Sequence, residues 1–398
     1  MDVLIIANFP SNLSRQGNGR FLYLAELLAQ DHAVELIASD FDHETKQPRN
    51  VSSPDFHYKT TLLHESGYPK NVCLKRFASH HEFGKNVAAY LKQRKKPDVI
   101  YTAVPSLTAP LEAAKYCKKR GVRFIIDVQD LWPEAFKMVF HVPVVSRIIF
   151  APFNSIANRI YGAADDICAV SQLYVDRALS VNKKCKEGHS IYLGTQLSKF
   201  DELRKAQPKR QKPDGEVWMA YIGTLGSSYD LIGVLDAMAL LRKENHASCL
   251  RFIVMGDGPQ KHKFEDYARQ LDVPVLFTGQ LSYPDMVAQL CICDFAVNPI
   301  KSGSAGSIIN KVGDYAAAGL AVVNTQECPE YRNLVTEYNM GVNCENGNIP
   351  QLADAIARLT ENTELRNTLG IQNRSLAEER FDRTVSYERL KKLILEAL

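Results

Sequence analysis

No two cysteines stand at Cys-x-x-Cys spacing, although the 398 residues hold nine of them. The absence argues against a zinc ribbon or a dithiol redox centre. No run of about 18 apolar residues occurs, so no segment is expected to cross a membrane as a helix. There is no short repeat or low-complexity tract, which excludes solenoids and linker-like chains. Charge of one sign is also lacking: 48 Lys and Arg against 45 Asp and Glu leave +3. A protein that coats nucleic acid is usually more basic, so no nucleic-acid partner is expected. The opening MDVLIIANFP has neither the length nor the basic flank of a signal peptide and reads as a first strand. Scattered cysteines inside apolar runs fit small buried hydrophobes in a reducing compartment, so a cytoplasmic location is expected.

What is present is a repeated alternation. VLIIAN (3–8), AVELIAS (33–39), DVIYTA (98–103), RFIIDV (123–128) and DDICAV (165–170) are short, continuous apolar runs separated by amphipathic stretches. Such runs indicate parallel strands buried on both faces and joined by helical crossovers. The alternation restarts with EVWMAYIG (216–223), CLRFIVMG (249–256), VLFTG (275–279), DFAVNP (294–299) and AVVNT (321–325). The expected fold class is therefore α/β, two doubly wound Rossmann-like domains facing across a cleft. The expected division is 1–196, a polar linker at 197–215, a second domain at 216–375, and a C-terminal helix at 376–398 packing back toward the first domain.

In doubly wound sheets, ligands sit beyond the carboxyl ends of strands, where helix N-termini offer N–H groups and positive dipole ends. After the first strand, Gly17-Asn18-Gly19-Arg20 opens a helix and suits a phosphate- or sugar-facing loop; a plain strand–helix turn is the alternative. The dinucleotide fingerprint is incomplete there, which argues against a nicotinamide cofactor. After RFIIDV come Asp130, Trp132, Pro133 and Glu134. Carboxylates beside a Trp suit a general base or acceptors for sugar hydroxyls, although Asp130 also fits a helix cap. In the second series, Gly223-Thr224-Leu225-Gly226-Ser227-Ser228 is a loop that suits a diphosphate. Gly256 sits in a tight turn near a ligand, and the backbone around Phe277 is placed to face a nucleotide base. The strongest signal is Pro299 to Gly319: a hydroxyl-rich loop with Ser307 feeds a helix that carries Lys311, a point charge for phosphate, and Asp314 one turn on, an acid for a sugar or ribose hydroxyl; an ordinary surface pair is the alternative.

Two stretches read as a membrane-facing surface. From Lys70 to Lys96 there are eight Lys or Arg against one Glu, and 143–161 interleaves Ile, Phe and Tyr with Arg. A buried helix with a solvated basic face is the alternative.

In this order and spacing, the motifs resemble a known family. The Gly17–Arg20 loop, Asp130-Leu131-Trp132-Pro133, Ala169-Val170-Ser171, Leu193-Gly194, Gly256–Pro259, Asn310 to Tyr315 and Ala318-Gly319 resemble the retaining, nucleotide-sugar-dependent glycosyltransferases of the GT-B fold, family four type. Asp-Leu-Trp-Pro resembles the branch that builds bacterial capsule, O-antigen or exopolysaccharide. The resemblance implies transfer of a hexosyl or N-acetylhexosaminyl group from a nucleoside diphosphate sugar, with retention, to a glycan or polyprenyl-diphosphate-linked acceptor. It implies no obligatory cofactor and no metal, and a location in the cytoplasm with peripheral contact to the inner face of the plasma membrane. Residue by residue, it implies donor contacts from Gly17, Gly19, Arg20, Gly223, Thr224, Gly256, Phe277, Ser307, Asn310, Lys311 and Asp314, and acceptor contacts from Asp130, Trp132 and Glu134. Asp130, Lys311 and Asp314 are the expected catalytic residues. The family's Glu-(seven residues)-Glu motif departs here: Gly306 stands at the first acid and Asp314 at the second. That departure keeps a non-catalytic partner subunit open as an alternative, and a nucleotide-sugar 2-epimerase on the same plan is another.

Overall fold

The structure is a computed structural model. It describes the chain apart from residues 11–12, 14–18, 50–55, 72, 135–142, 207–211, 305 and 397–398, and the backbone alone of 143–148. The chain divides into two units. Unit 1 comprises Met1–Tyr192 and Tyr387–Leu398, and unit 2 comprises Leu193–Ser386.

Unit 1 is built from strands β1 (Asp2–Ile6), β2 (Ala33–Ser39), β3 (Phe41–Asp42), β4 (Gln47–Pro48), β5 (Lys59–Leu63), β6 (Val99–Val104), β7 (Arg123–Val128), β8 (Asp166–Ala169) and β9 (His189–Ser190). Seven form one parallel sheet in the order β5-β2-β1-β6-β7-β8-β9, and β3 and β4 pair as a small hairpin. The chain winds outward from β1 to β5, then returns to β6 and winds the other way. Residues just past β1 and β6 therefore flank the switch point where such sheets bind ligands. Val3, Ile5, Val99, Tyr101 and Ile125 fill the core from the strands, and Leu24 and Leu28 add one face of the helix Arg20–Ala29. Tyr387, Leu390 and Ile394, on the helix Arg383–Leu395, complete the same core. Arg123 secures that helix by donating to the carbonyls of Leu393 and Ile394 at 2.8 and 3.0 Å.

The basic stretch 70–96 contains the helix Leu74–Gln93. It buries Phe83, Val87 and Leu91 and leaves Lys75, Lys85 and Lys92 exposed. Its charge bias is thus largely the solvated face of an amphipathic helix.

Unit 2 repeats the plan with six parallel strands: β10 (Val217–Ile222), β11 (Leu250–Met255), β12 (Val275–Gly279), β13 (Phe295–Asn298), β14 (Ala321–Asn324) and β15 (Gly341–Asn343). Their order is β12-β11-β10-β13-β14-β15, with the switch between β10 and β13. Met219, Phe252, Val254, Phe295 and Val323 form its core with Leu231, Leu235, Ile356 and Leu359 of the covering helices.

The stretch expected as a linker behaves differently. Leu197–Ala206 is a helix of unit 2 that buries Leu197 and Phe200. Its Asp201 accepts both arms of the Arg374 guanidinium, at 2.9 and 2.8 Å. Charged residues that read as linker composition are there partly because one of them meets a partner 173 residues away. No described helix is long and apolar enough to cross a membrane.

Candidate functional site

The carboxyl end of β10 turns at Gly223, whose φ of +122° is a conformation that side-chain-bearing residues rarely adopt. A Cβ there would also press on Lys311, 3.1 Å from Nζ. The next loop is packed backbone on backbone: a Cβ at Gly256 would lie 1.9 Å from the Gly223 carbonyl oxygen. Gly256 thus supports Gly223 from beneath, which explains the glycine without a ligand contact. Thr224 is exposed, and its carbonyl accepts from the Tyr221 hydroxyl at 2.8 Å.

Lys311 begins the helix Lys311–Ala318 and is 7% exposed. Its Nζ lies 3.8 Å from the ring centroid of Tyr221 and 3.9 Å from that of Tyr229. Among the described residues it has no hydrogen-bond partner. Burial alone drives its pKa well below the usual lysine value. Ring faces attract an ammonium by about 0.5–2 kcal/mol. An unpaired buried polar group costs about 1–3 kcal/mol, and more when it carries charge. The amine is therefore held beside Gly223 with its charge met only by the two ring faces among the described residues.

Asp314 lies one turn on, but its carboxylate is engaged elsewhere. Its Oδ1 accepts from the Tyr283 hydroxyl at 3.0 Å and the Thr195 hydroxyl at 3.3 Å. Burial pushes its pKa from 3.8 up to about 6, against the Tyr283 hydrogen bond and the charge of Arg383. The structure does not join Lys311 and Asp314 in an ion pair. A carboxyl with a raised pKa binds its proton in the folded state over a range where the unfolded chain has lost it. Stability from this group is then highest below pH 3.8 and falls as pH rises through about 6. Asp314→Asn should abolish that fall, worth on the order of 2 kcal/mol, as read by urea unfolding from pH 4 to 7; a wild-type slope kept in the variant would refute the assignment.

The loop before Lys311 is held by a ladder that the sequence reading missed. Asn298 Nδ2 donates to Asn324 Oδ1 at 2.9 Å and to Gln326 Oε1 at 3.2 Å. Asn324 Nδ2 donates to Asn343 Oδ1 at 2.8 Å, and Gln326 Nε2 to the Ser307 carbonyl at 2.7 Å. The signal was available: β13, β14 and β15 each end in Asn. Ser307 is half-buried, and Asn310 is exposed at the helix start without a side-chain cap. Phe277 packs against the core of unit 2.

In unit 1, Gly17 lies outside the described residues, and Gly19 precedes the helix in an extended conformation. The Arg20 guanidinium, expected as a donor contact, is engaged within unit 1. The residue is 4% exposed and donates to both oxygens of the fully buried Asp127, at 2.7 and 3.2 Å, and to the carbonyls of Ile191 and Tyr192. Asp130 Oδ1 accepts from the Leu131 N–H at 2.9 Å and the Tyr174 hydroxyl at 3.4 Å, and burial raises its pKa. Trp132 is buried and stacked on His80, with ring centroids 5.5 Å apart and 14° between planes. Glu134 Oε1 accepts from Arg177 Nε at 2.6 Å, and its buried Oε2 has no hydrogen-bond partner among the described residues. Asp40-Phe41-Asp42 is an Asp-x-Asp, but Asp40 binds His64 and the Glu65 N–H, and Asp42 binds Arg49. Among the described residues, no three metal-type side chains converge.

Residues 203–376 match the family model of the glycosyl transferases group 1. The matched stretch lies within unit 2. A curated relative, an uncharacterised glycosyltransferase MJ1069 of Methanocaldococcus jannaschii, is 20% identical over 241 residues, and the aligned stretch spans 60% of each chain. The crystal structure of HepE of Anabaena in complex with UDP superposes with a TM-score of 0.70 at 16% identity, over 100% of both chains. Sucrose-phosphate synthase from Thermosynechococcus elongatus gives 0.74 at 15%, over 100% of this chain and 99% of the other. The fold is GT-B, with two Rossmann-like domains, as the alternation of strands and helices and the motif resemblance led one to expect.

Proposed function

We propose that this chain is a glycosyltransferase that takes its sugar from a nucleoside diphosphate sugar, with the diphosphate bound in unit 2 at Lys311 and Gly223. The observation that carries this reading is the buried Lys311 amine, which has no hydrogen-bond partner among the described residues. A leaving diphosphate supplies the missing anion, and the amine stabilises charge that grows as the glycosidic bond breaks. The group 1 domain over 203–376 supports the reaction class, and the UDP held by HepE supports the donor class. Ser307, Asn310, Thr224 and Phe277 are read as further donor contacts. Unit 1 holds the acceptor, with Asp130 as the group nearest the accepting hydroxyl and Trp132 and Glu134 beside it. Retention at the anomeric carbon, and a role in bacterial surface polysaccharide synthesis, follow from the motif resemblance, Asp-Leu-Trp-Pro above all. A lipid-linked acceptor is supported by Leu74 and Ile149, which are 86% and 57% exposed on the two stretches read as membrane-facing.

The test is a thermal-shift series with UDP, GDP, ADP and CMP. One nucleoside diphosphate at about 100 times its dissociation constant should add roughly 2.7 kcal/mol to the stability of the protein. A response confined to one base names the donor class. Silence across the series would overturn the donor reading and leave the non-catalytic partner.

A further inference from the structure

Unit 1 concentrates positive charge on an aromatic floor. Arg76 stands with its guanidinium carbon 4.4 Å from the Trp132 ring, 5.5 Å from Tyr68 and 5.6 Å from Phe9. Lys46 Nζ lies 5.1 Å from the Tyr68 ring and donates to Asn71 Oδ1 and to the His43 carbonyl, while Arg76 Nη1 donates to the Asn71 carbonyl at 2.9 Å. Arg76 and Lys46 are half-buried, and His80 beneath them is 3% exposed.

The acids nearby face other groups, although Glu65 Oε2 is buried without a hydrogen-bond partner among the described residues. Asp42 pairs with Arg49 and two turn amides. Glu65 accepts from Ser79, with the His80 ring at 3.9 Å. Asp130 accepts from Leu131 and Tyr174. Among the described residues, no carboxylate lies in ion-pair range of Arg76 or Lys46, and Arg76 Nε and His80 Nε2 have no hydrogen-bond partner. Burial, then the charges of Lys46 and Arg76, push His43 down to about 4; burial, then Arg76, push His80 down to about 3. Two imidazoles held neutral thus lie beside two cations that no described carboxylate pairs with directly, although Asp42, Glu65 and Asp130 act on them at longer range.

We infer that Arg76 and Lys46 form an anion subsite for a phosphate carried by the acceptor, so that the substrate accepting the sugar is a phosphorylated one. A planar guanidinium fork and a point-charge ammonium together suit a phosphate dianion. The aromatic floor lowers the local dielectric and strengthens both contacts. The inference rests on the reading that unit 1 holds the acceptor, and it adds residues which that reading did not contain. The phosphate has two chemical sources, a soluble sugar phosphate or a polyprenyl phosphate in a bilayer.

The experiment uses the whole chain with UDP saturating, so that the donor site is filled. Glucose 6-phosphate, with glucose as the neutral control, is titrated by calorimetry into the wild type and into Arg76→Ala, Arg76→Lys, Lys46→Ala and Lys311→Ala. Saturable binding of the phosphate ester alone is expected, weakened about tenfold or more, about 1.4 kcal/mol, by Arg76→Ala and by Lys46→Ala. Arg76→Lys should recover part of it, and Lys311→Ala should leave it intact. In parallel, sedimentation with phosphatidylcholine vesicles with and without polyprenyl phosphate separates the sources. Arg76-dependent capture by the phosphate lipid assigns the membrane source, and Arg76-dependent glucose 6-phosphate binding without capture assigns the soluble one. Arg76→Lys and Lys46→Ala keep the test open if Arg76→Ala does not fold. Absence of both signals, or binding lost only in Lys311→Ala, would overturn the inference. Failure of UDP itself to bind would instead strike the donor reading.

Discussion

Lys311→Met should lower turnover at least about 100-fold, close to 3 kcal/mol of transition-state stabilisation, while leaving the ligand-free protein as stable as the wild type or more so. The two halves have one cause. The amine is 7% exposed, lies against two tyrosine rings and has no hydrogen-bond partner among the described residues. Ring contact offsets only part of the desolvation, so a thioether of similar length removes a penalty from the folded state. The same change removes the cation that meets the leaving phosphate. A residue kept for packing alone would lose stability without selectively losing turnover. Stability also depends on pH with a defined sign. The folded amine has a pKa well below 10.5, so the unfolded chain binds more protons below that value. The wild type therefore loses stability as pH falls from about 10.5 toward the folded pKa, and the Met variant does not. Binding of an anion raises the pKa again, so nucleotide binding takes up protons, seen as a buffer-dependent enthalpy. Unchanged turnover in Lys311→Met would remove this residue from the chemistry.

Arg20→Ala or Asp127→Ala should each cost about 3–5 kcal/mol of stability, because either leaves one buried charge without its counterion. Burial opposes the charge on Arg20, and Asp127 holds it charged nonetheless. The guanidinium also satisfies the carbonyls of Ile191 and Tyr192, so Asp127→Ala leaves it partly bonded while Arg20→Ala strands the carboxylate. The double variant Arg20→Met, Asp127→Leu should recover a large share of the loss, since it removes both charges at once. Urea unfolding of all three variants decides it. Equal and additive losses would show that the pair is not coupled.

The sequence carried the architecture and only part of the site. Continuous apolar runs such as VLIIAN and AVVNT have few readings other than strands buried on both faces, and their alternation with amphipathic stretches yields the doubly wound order. Lys311 was legible for the same local reason: a small-residue loop running into a helix is a phosphate-facing arrangement in this kind of sheet. What escaped depends on distance along the chain. Arg20 reads as a loop cation until Asp127, 107 residues on, is placed against it. Asp314 and Lys311 are neighbours on a helix, yet Tyr283 and Thr195 draw the carboxylate to hydroxyls of their own. The charge of Leu197–Ala206 looks like linker composition until Arg374 is known to bind Asp201. Arg76 was counted among the basic residues of an exposed face, whereas its position over Trp132 sets it apart from Lys75 beside it.

Unit 1 is assembled from two stretches of chain with the whole of unit 2 between them. Tyr387, Leu390 and Ile394 sit in the same apolar interior as Val3 and Leu24. During synthesis, the half that is made first must therefore wait. Its sheet can form as soon as β9 has emerged, but its interior stays open on one side until the ribosome has added nearly two hundred further residues. Unit 2 is continuous in the chain and can close earlier, so the order of completion is the reverse of the order of translation. At a translation rate of about 5–20 residues per second, that interval lasts on the order of ten seconds or more. Throughout it, the nascent first unit exposes the apolar groove that the 387–394 segment later fills, and chaperone demand should peak there.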